Sequence, residues 1–177
     1  MCLHSKLTNT MAIGVAVGDS PTGPFKDAIG RPLYEGSWDF IDPTVFVDDD
    51  GQAYLYWGNP NVYYAKLNAD MVSLDGEVSK VEQTIESFGS PGPDKREKGK
   101  KYKDIYTEGP WLHKRGGTYY LSYAAGGVPE HIAYSMSDTP TGPWKYMGEI
   151  MPLQDTGSFT NCLLYTSPSP RDRSLSR

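Results

Sequence analysis

The chain has 177 residues, enough for one ordinary domain, and its 13 Tyr, 5 Phe, 4 Trp, 19 Gly and 14 Pro favour short strands joined by turns. Its formal net charge of −5, with no basic stripe, argues against a nucleic-acid partner, and the absence of an 18-residue apolar run argues against a membrane span. The two cysteines, Cys2 and Cys162, lie near opposite ends and predict neither a disulfide framework nor a zinc site.

A tight turn occurs twice along the chain. Residues 19–26 read DSPTGPFK and residues 138–145 read DTPTGPWK, an offset of 119 positions (138 − 19 = 119). Each copy follows a predicted apolar strand, at 13–17 in the first case and at 132–136 in the second. Because Pro presets φ and Gly tolerates a positive φ, both copies predict the same connection.

A second repeat has a different offset and contains acidic residues. Asp42 begins the run DPTVF, which leads through a glycine turn into AYLYW, and Glu108 begins the run EGPWL, which leads through RGG into YYLSY. Asp42 and Glu108 are 66 positions apart (108 − 42 = 66), as are the turn glycines Gly51 and Gly117. Each unit predicts a β-hairpin that is followed by a third strand.

Units of several antiparallel strands that repeat at intervals of about 60–70 residues are typical of the radially arranged blades of a β-propeller. The sequence therefore predicts an all-β, incomplete propeller: the outer part of one blade at about 11–35, a full second blade at about 39–85 and a full third blade at about 105–155. An ordinary β-sandwich is the alternative, which two matching offsets disfavour. Residues 86–104 predict a polar, solvated loop.

The character of the chain changes after residue 161. Residues 162–177 contain SPSPRDRS, show no periodicity and predict a disordered tail, which we interpret as not native to the protein. A genuine basic tail is the alternative. Residues 1–161 are accordingly predicted to form the partial propeller domain, with 157–161 as the approach to a fourth blade.

Asp42 and Glu108 are candidate catalytic residues because the repeat places them at equivalent positions. Each opens the first strand of its blade, and first strands line the central channel of a propeller. Two carboxylates at one funnel suit acetal hydrolysis, which needs a protonated acid beside ionised partners. A single Asp before Pro is more often a turn or cap residue, but two matched carboxylates favour the catalytic interpretation.

Hairpin geometry adds Trp57 and Asn59 as candidate substrate-binding residues. The strand that returns from the turn after Asp42 ends beside it, so a Trp or Asn there would pack on a sugar or hydrogen-bond to it. A blade-packing role for Trp57 is equally compatible with the sequence. Glu130 and His131 fall in a connection of the third blade, for which we predict a solvated loop rather than substrate contact.

These repeat units also resemble a known family. The runs IDPTVFVDDDG and YLYWG, at 41–51 and 54–58, are similar to the second-blade signature of glycoside hydrolase family 43, and EGPW with YYL, at 108–111 and 119–121, resembles its third-blade signature. The resemblance covers roughly residues 11–161. It implies a five-bladed propeller that cleaves arabinose- or xylose-containing plant polysaccharide, as an α-L-arabinofuranosidase or a β-xylosidase.

The resemblance further implies a role for each carboxylate in an inverting mechanism. Glu108 matches the general acid, and Asp42 matches the aspartate that keeps this acid protonated and orients it. The general base is expected before Met11, where no residue matches it, so the chain as given is expected to be inactive. A non-catalytic carbohydrate-binding propeller is the alternative function.

The expected partner is an oligo- or polysaccharide, and the segment 123–130 resembles the arabinoxylan-active branch of the family. No cofactor is expected in this fragment, although many members hold a structural calcium ion through the fifth blade. We expect an extracellular or periplasmic location for the parent protein, while residues 1–6 show no signal-peptide pattern. The sequence predicts no oligomeric state.

Overall fold

A computed structural model describes residues 1–89, 105–127 and 130–151 of the chain. Most of the predicted loop at 86–104, the approach to a fourth blade at 157–161 and the tail at 162–177 lie outside these residues. The regular secondary structure of these described residues is almost entirely β. The helix that they contain is too short to cross a membrane.

The strands form three antiparallel sheets and a small hairpin. The first five strands are β1 (Cys2–His4), β2 (Met11–Ile13), β3 (Ala16–Val17), β4 (Lys26–Asp27) and β5 (Tyr34–Glu35). The first sheet has the order β1-β2-β5, and β3 and β4 form the hairpin. The middle blade consists of β6 (Thr44–Val47), β7 (Ala53–Trp57), β8 (Tyr63–Leu67) and β9 (Leu74–Lys80). A helix, α1 (Ile85–Phe88), precedes the last blade, which consists of β10 (Glu108–Arg115), β11 (Thr118–Ala125), β12 (His131–Ser137) and β13 (Lys145–Met151).

The two repeats predicted from the sequence appear in the strand pairing. The middle and last blades have the same order, β6-β7-β8-β9 and β10-β11-β12-β13, and neighbouring strands are antiparallel throughout. The two copies of the tight turn share a backbone hydrogen bond: Gly23 N–H donates to the Ser20 carbonyl at 3.0 Å, and Gly142 N–H donates to the Thr139 carbonyl at 3.4 Å. Repeated sequence has therefore produced repeated structure.

The first sheet differs from the prediction in two ways. A strand at Cys2–His4, which the sequence did not suggest, pairs with β2 in register Leu3 to Ala12. The strand expected at 13–17 is divided, since β2 pairs with β1 and β5 while β3 turns away to pair with β4. Gly14 lies at the division and packs closely on Leu3, because a Cβ on Gly14 would lie 2.5 Å from the Leu3 Cδ1 atom.

Helix α1 stands where the sequence predicted the start of a loop. Its first turn is closed by a capping box: Ser87 N–H donates to the Thr84 hydroxyl at 3.1 Å, and Thr84 N–H donates to the Ser87 hydroxyl at 2.8 Å. The Phe88 side chain is buried, and its carbonyl accepts a hydrogen bond from the Tyr123 hydroxyl at 3.1 Å. The helix therefore packs between the middle and last blades.

Strand β7 packs against both of its neighbours, as expected for a blade in a radial arrangement. All five of its residues are buried. Tyr54 and Tyr56 point into the core shared with the last blade, whereas Leu55 and Trp57 point into the core shared with the first sheet. This period-2 alternation follows from the pleat of a strand covered on both faces.

Candidate active site

The start of the last blade and the segment before the middle blade bring the two predicted carboxylates to the same end of the sheets. Glu108 is the first residue of β10 and pairs with Ala124 near the end of β11. Asp42 precedes β6, and its neighbour Ile41 accepts a backbone hydrogen bond from Gly58 at 2.9 Å, just after the end of β7. The turn that joins β6 to β7 and the turn that joins β10 to β11 lie at the opposite end of the sheets.

Asp42 and Glu108 interact directly through the backbone and through their charges. The Gly109 N–H donates a hydrogen bond to the Asp42 carboxylate, and Asp42 adopts φ 54°, a left-handed conformation that is uncommon for a residue other than glycine. Burial, followed by the charge of Glu108, raises the pKa of Asp42, and the Gly109 hydrogen bond partly opposes this. The structure thus places the two repeat-related carboxylates side by side.

A third carboxyl, Glu130, belongs to the same cluster. It is only 5% exposed and lies immediately before β12, one position beyond the pair formed by Ala125 and His131. Burial, together with the charges of Glu108 and Asp42, raises the pKa of Glu130 to about 7. The sequence-based expectation of a solvated loop at Glu130 is therefore wrong. The 66-residue repeat gave no signal for it, since the equivalent position in the middle blade (130 − 66 = 64) is a tyrosine.

Tyr106 lies next to this cluster, and no sequence pattern had indicated it. Its side chain is fully buried, and its hydroxyl donates a hydrogen bond of 2.6 Å to the Gly58 carbonyl. Burial, and then the charges of the three carboxyls, raises the pKa of Tyr106 well above its ordinary value, which keeps the phenol neutral and able to donate. Next to it, Thr107 N–H donates to the Ala124 carbonyl at 2.8 Å and the Thr107 hydroxyl accepts from Gly127 N–H at 2.9 Å.

The two predicted substrate-binding residues have different surroundings. The Asn59 amide lies in the cluster and donates a hydrogen bond of 2.7 Å from its Nδ2 to the Glu108 Oε2. The Trp57 side chain is 0% exposed and packs against the rings of Tyr34 and Tyr63, with ring centroids 5.5 and 5.8 Å away. Its burial leaves no surface for a sugar and supports the blade-packing interpretation of Trp57.

In the described part of the chain, no three or more His, Cys, Asp and Glu side chains are arranged so as to hold a metal ion. The three clustered carboxyls are not arranged as such a group. The chemistry available to the cluster is proton transfer. Because burial and neighbouring charges raise the pKa of Glu130 to about 7, the cluster can hold a proton near neutral pH.

Comparison with known proteins places this geometry in a family. Residues 1–161 match Glycosyl hydrolases family 43. The arabinoxylan arabinofuranohydrolase of Bacillus subtilis (strain 168) is 35% identical over 83% of this chain and 30% of its own length. The β-D-galactofuranosidase xynD of Aspergillus niger is 33% identical over 80% of this chain and 38% of its own length.

Among solved structures, the β-xylosidase/α-arabinofuranosidase CoXyl43 from a compost microbial metagenome superposes with a TM-score of 0.65 at 32% identity. That match covers 84% of this chain and 51% of CoXyl43. The chain thus spans between about a third and a half of the length of these relatives. The structural neighbours are five-bladed propellers, which confirms the predicted fold class for this partial chain. The sequence match, the shared fold and the two carboxylates in order show that the chain belongs to glycosyl hydrolases family 43.

Proposed function

We propose that the protein hydrolyses glycosidic bonds of arabinose- or xylose-containing plant polysaccharide, with Glu108 as the general acid. The observation that carries this proposal is the clustering of Asp42 and Glu108, whose charges interact, at the end of the blades where the Asn59 amide binds Glu108. Acetal hydrolysis needs a carboxylic acid that protonates the leaving oxygen, held among other carboxyls in a partly buried site. Family membership and the relatives' activities support this function.

In the proposed mechanism Glu108 protonates the glycosidic oxygen as the bond to the anomeric carbon breaks. Asp42, whose charge interacts with that of Glu108, lies beside the acid and orients it. A further carboxylate would activate the attacking water on the opposite face of the sugar, about 6.5–9.5 Å from the acid, and inversion would result. We assign no described residue to this base, and the matched relatives are two to three times longer than the match.

The test uses the intact gene product that carries these residues, assayed on the nitrophenyl glycosides of α-L-arabinofuranose, β-D-xylose and β-D-galactofuranose. The third substrate is included because one relative is a galactofuranosidase. We expect turnover of the arabinofuranoside or the xyloside, and release of the inverted anomer when the product is followed by NMR.

The variants Glu108→Gln and Asp42→Asn keep the side-chain volumes and remove the acid and its partner. On xylobiose or an arabinoxylan oligosaccharide, whose leaving groups need the proton, we expect each to lower kcat/KM by about 100-fold or more, while Glu77→Gln, an exposed carboxyl on β9, leaves it unchanged. Full activity in both site variants would overturn the proposal. A wild-type protein that binds xylo-oligosaccharides in calorimetry but turns over none of the three substrates would instead be a non-catalytic carbohydrate-binding propeller.

A further inference from the structure

The side chain of Asn59 points at the candidate acid, although the sequence analysis placed it on the substrate. Its Nδ2 atom donates to the Glu108 Oε2 at 2.7 Å, a short distance for an amide donor and typical of a hydrogen bond to a carboxylate. Asn59 comes from the middle blade and Glu108 from the last blade, 49 positions away along the chain. The contact is therefore made by the packing of one blade on the next.

The backbone around Asn59 is fixed by hydrogen bonds on both sides. Asn59 N–H donates to the Asp39 carbonyl at 3.0 Å, and Gly58 N–H donates to the Ile41 carbonyl at 2.9 Å. From the last blade's side, the buried Tyr106 hydroxyl donates to the Gly58 carbonyl at 2.6 Å. These three bonds tie the segment to the residues just before Asp42 and to those just before Glu108.

Gly58 permits this path because no other residue fits there. Its φ of 125° lies in a region that side chains disfavour, and a Cβ on Gly58 would lie 1.9 Å from the Asn61 carbonyl oxygen. Asn61 is itself held, since its Nδ2 donates to the Asp39 Oδ2 at 2.6 Å, and the Tyr63 hydroxyl donates to the same oxygen at 3.0 Å. A segment fixed at so many points holds its Asn59 side chain in one place.

An amide nitrogen donates hydrogen bonds and accepts none. In a neutral carboxyl the unprotonated oxygen is the stronger acceptor, so this bond favours the form of Glu108 in which the oxygen that faces Asn59 carries no hydrogen. When Glu108 is a neutral acid, its hydrogen lies on Oε1. We propose, on the basis of the function proposed above, that Asn59 is a positioning residue that fixes the transferable proton of Glu108 on Oε1 and aims it at the leaving oxygen.

Positioning of an acid matters only for substrates whose departure depends on protonation. A sugar or a simple alcohol is a poor leaving group and needs the proton, whereas dinitrophenolate departs without it. Loss of Asn59 should therefore slow the hydrolysis of xylobiose or an arabinoxylan oligosaccharide by about 10- to 100-fold, the scale expected when a catalytic group is displaced by about 1 Å. The dinitrophenyl glycoside should lose less than about threefold.

The experiment compares kcat on these two kinds of substrate for the intact gene product and its variants Asn59→Ala, Asn59→Asp and Glu108→Gln. Asn59→Asp has the shape of the original but offers an acceptor and a like charge, so it should lose more activity than Asn59→Ala on the poor leaving group. Asn68→Ala serves as the matched control, since the Asn68 amide is exposed and bonds to the Ser73 hydroxyl at 2.9 Å, away from the site.

The outcomes separate the two proposals. If Glu108→Gln shows the leaving-group dependence but Asn59→Ala slows both substrates equally, or slows neither, the role of Asn59 is overturned while the acid role of Glu108 stands. If Glu108→Gln itself shows no leaving-group dependence, the proposed function fails. Unfolding midpoints measured in parallel identify a merely structural loss, which would lower both rates together.

Discussion

The buried carboxyl of Glu130 makes the stability of the protein depend on pH in a direction opposite to that of a salt-bridged acid. In the unfolded chain Glu130 ionises near its ordinary pKa of 4.5, whereas in the folded protein its pKa is about 7. Its contribution to stability is therefore fully present below pH 4.5 and is lost as the pH rises to about 7. A tenfold change in proton affinity is worth about 1.4 kcal/mol, so the two pKa values correspond to a loss of about 3 kcal/mol.

The variant Glu130→Gln removes this loss because an amide does not ionise. We expect the free energy of unfolding of Glu130→Gln, relative to that of the wild type, to rise by about 3 kcal/mol between pH 4.5 and pH 7.5. Urea unfolding followed by tryptophan fluorescence at four pH values in this range measures the difference. Using the difference between two proteins cancels the titration of the shared groups that do not interact with residue 130.

The matched control is Glu77→Gln, whose carboxyl is exposed on β9 and whose effect should not vary with pH. Parallel stability curves for Glu130→Gln and the wild type would refute the reasoning, since they would show that Glu130 ionises freely in the folded state. A difference that falls with pH would be a stronger contradiction, because it would require a pKa of Glu130 below its ordinary value.

Three further predictions concern residues that hold the site or the two blades in place. Trp57→Ala should lower the free energy of unfolding by about 3–5 kcal/mol, as for a core aromatic. If the variant kept its stability and lost only sugar affinity, Trp57 would instead be a substrate-binding residue. Gly58→Ala should destabilise the protein more than Gly76→Ala in thermal melts. Both glycines have a positive φ, but only a Cβ added at Gly58 would meet a backbone oxygen. Equal effects of the two substitutions would contradict the close approach at Gly58. Burial raises the pKa of Asp48, but hydrogen bonds outweigh burial and lower this pKa overall. The strongest of these hydrogen bonds comes from Lys114 Nζ at 2.7 Å. Asp48 therefore stabilises the fold above pH 3.8, and this stabilisation is lost as the pH falls. Asp48→Asn should cost about 1–3 kcal/mol at pH 7 and less at pH 3, which urea unfolding at the two pH values would show; the same cost at both would exclude the ion pair.

The repeat made most of the fold predictable. Equivalent turns and matched acidic residues indicated that the two blades are copies, and copies packed radially bring equivalent positions together. This is why Asp42 and Glu108, 66 positions apart, could be paired from the sequence. The pattern carries no information on the carboxyl of Glu130, whose counterpart is Tyr64, or on the hydroxyl of Tyr106, whose counterpart is Phe40 (106 − 66 = 40).

The sequence also could not decide between neighbouring residues at the end of β7. Trp57 and Asn59 both lie at the end near Asp42, and the pattern alone allows either to face a ligand. Burial of Trp57 follows from the aromatic rings of Tyr34, on the first sheet, and of Phe40, between that sheet and the middle blade, which pack on that face of the strand. The turn of Asn59 toward Glu108 follows from Gly58 and its bond to Tyr106, which connect two blades and are not visible in either one alone.

The central claim is that Asp42 and Glu108 act on one sugar ring. A crystal structure of the intact gene product with Glu108→Gln, soaked with an arabinoxylan oligosaccharide, tests it most directly. We expect a single sugar residue whose glycosidic oxygen lies within hydrogen-bond distance of the residue 108 amide and whose ring lies against the Asp42 carboxylate. An oligosaccharide bound elsewhere on the protein, with both of these side chains free of it, would contradict the account.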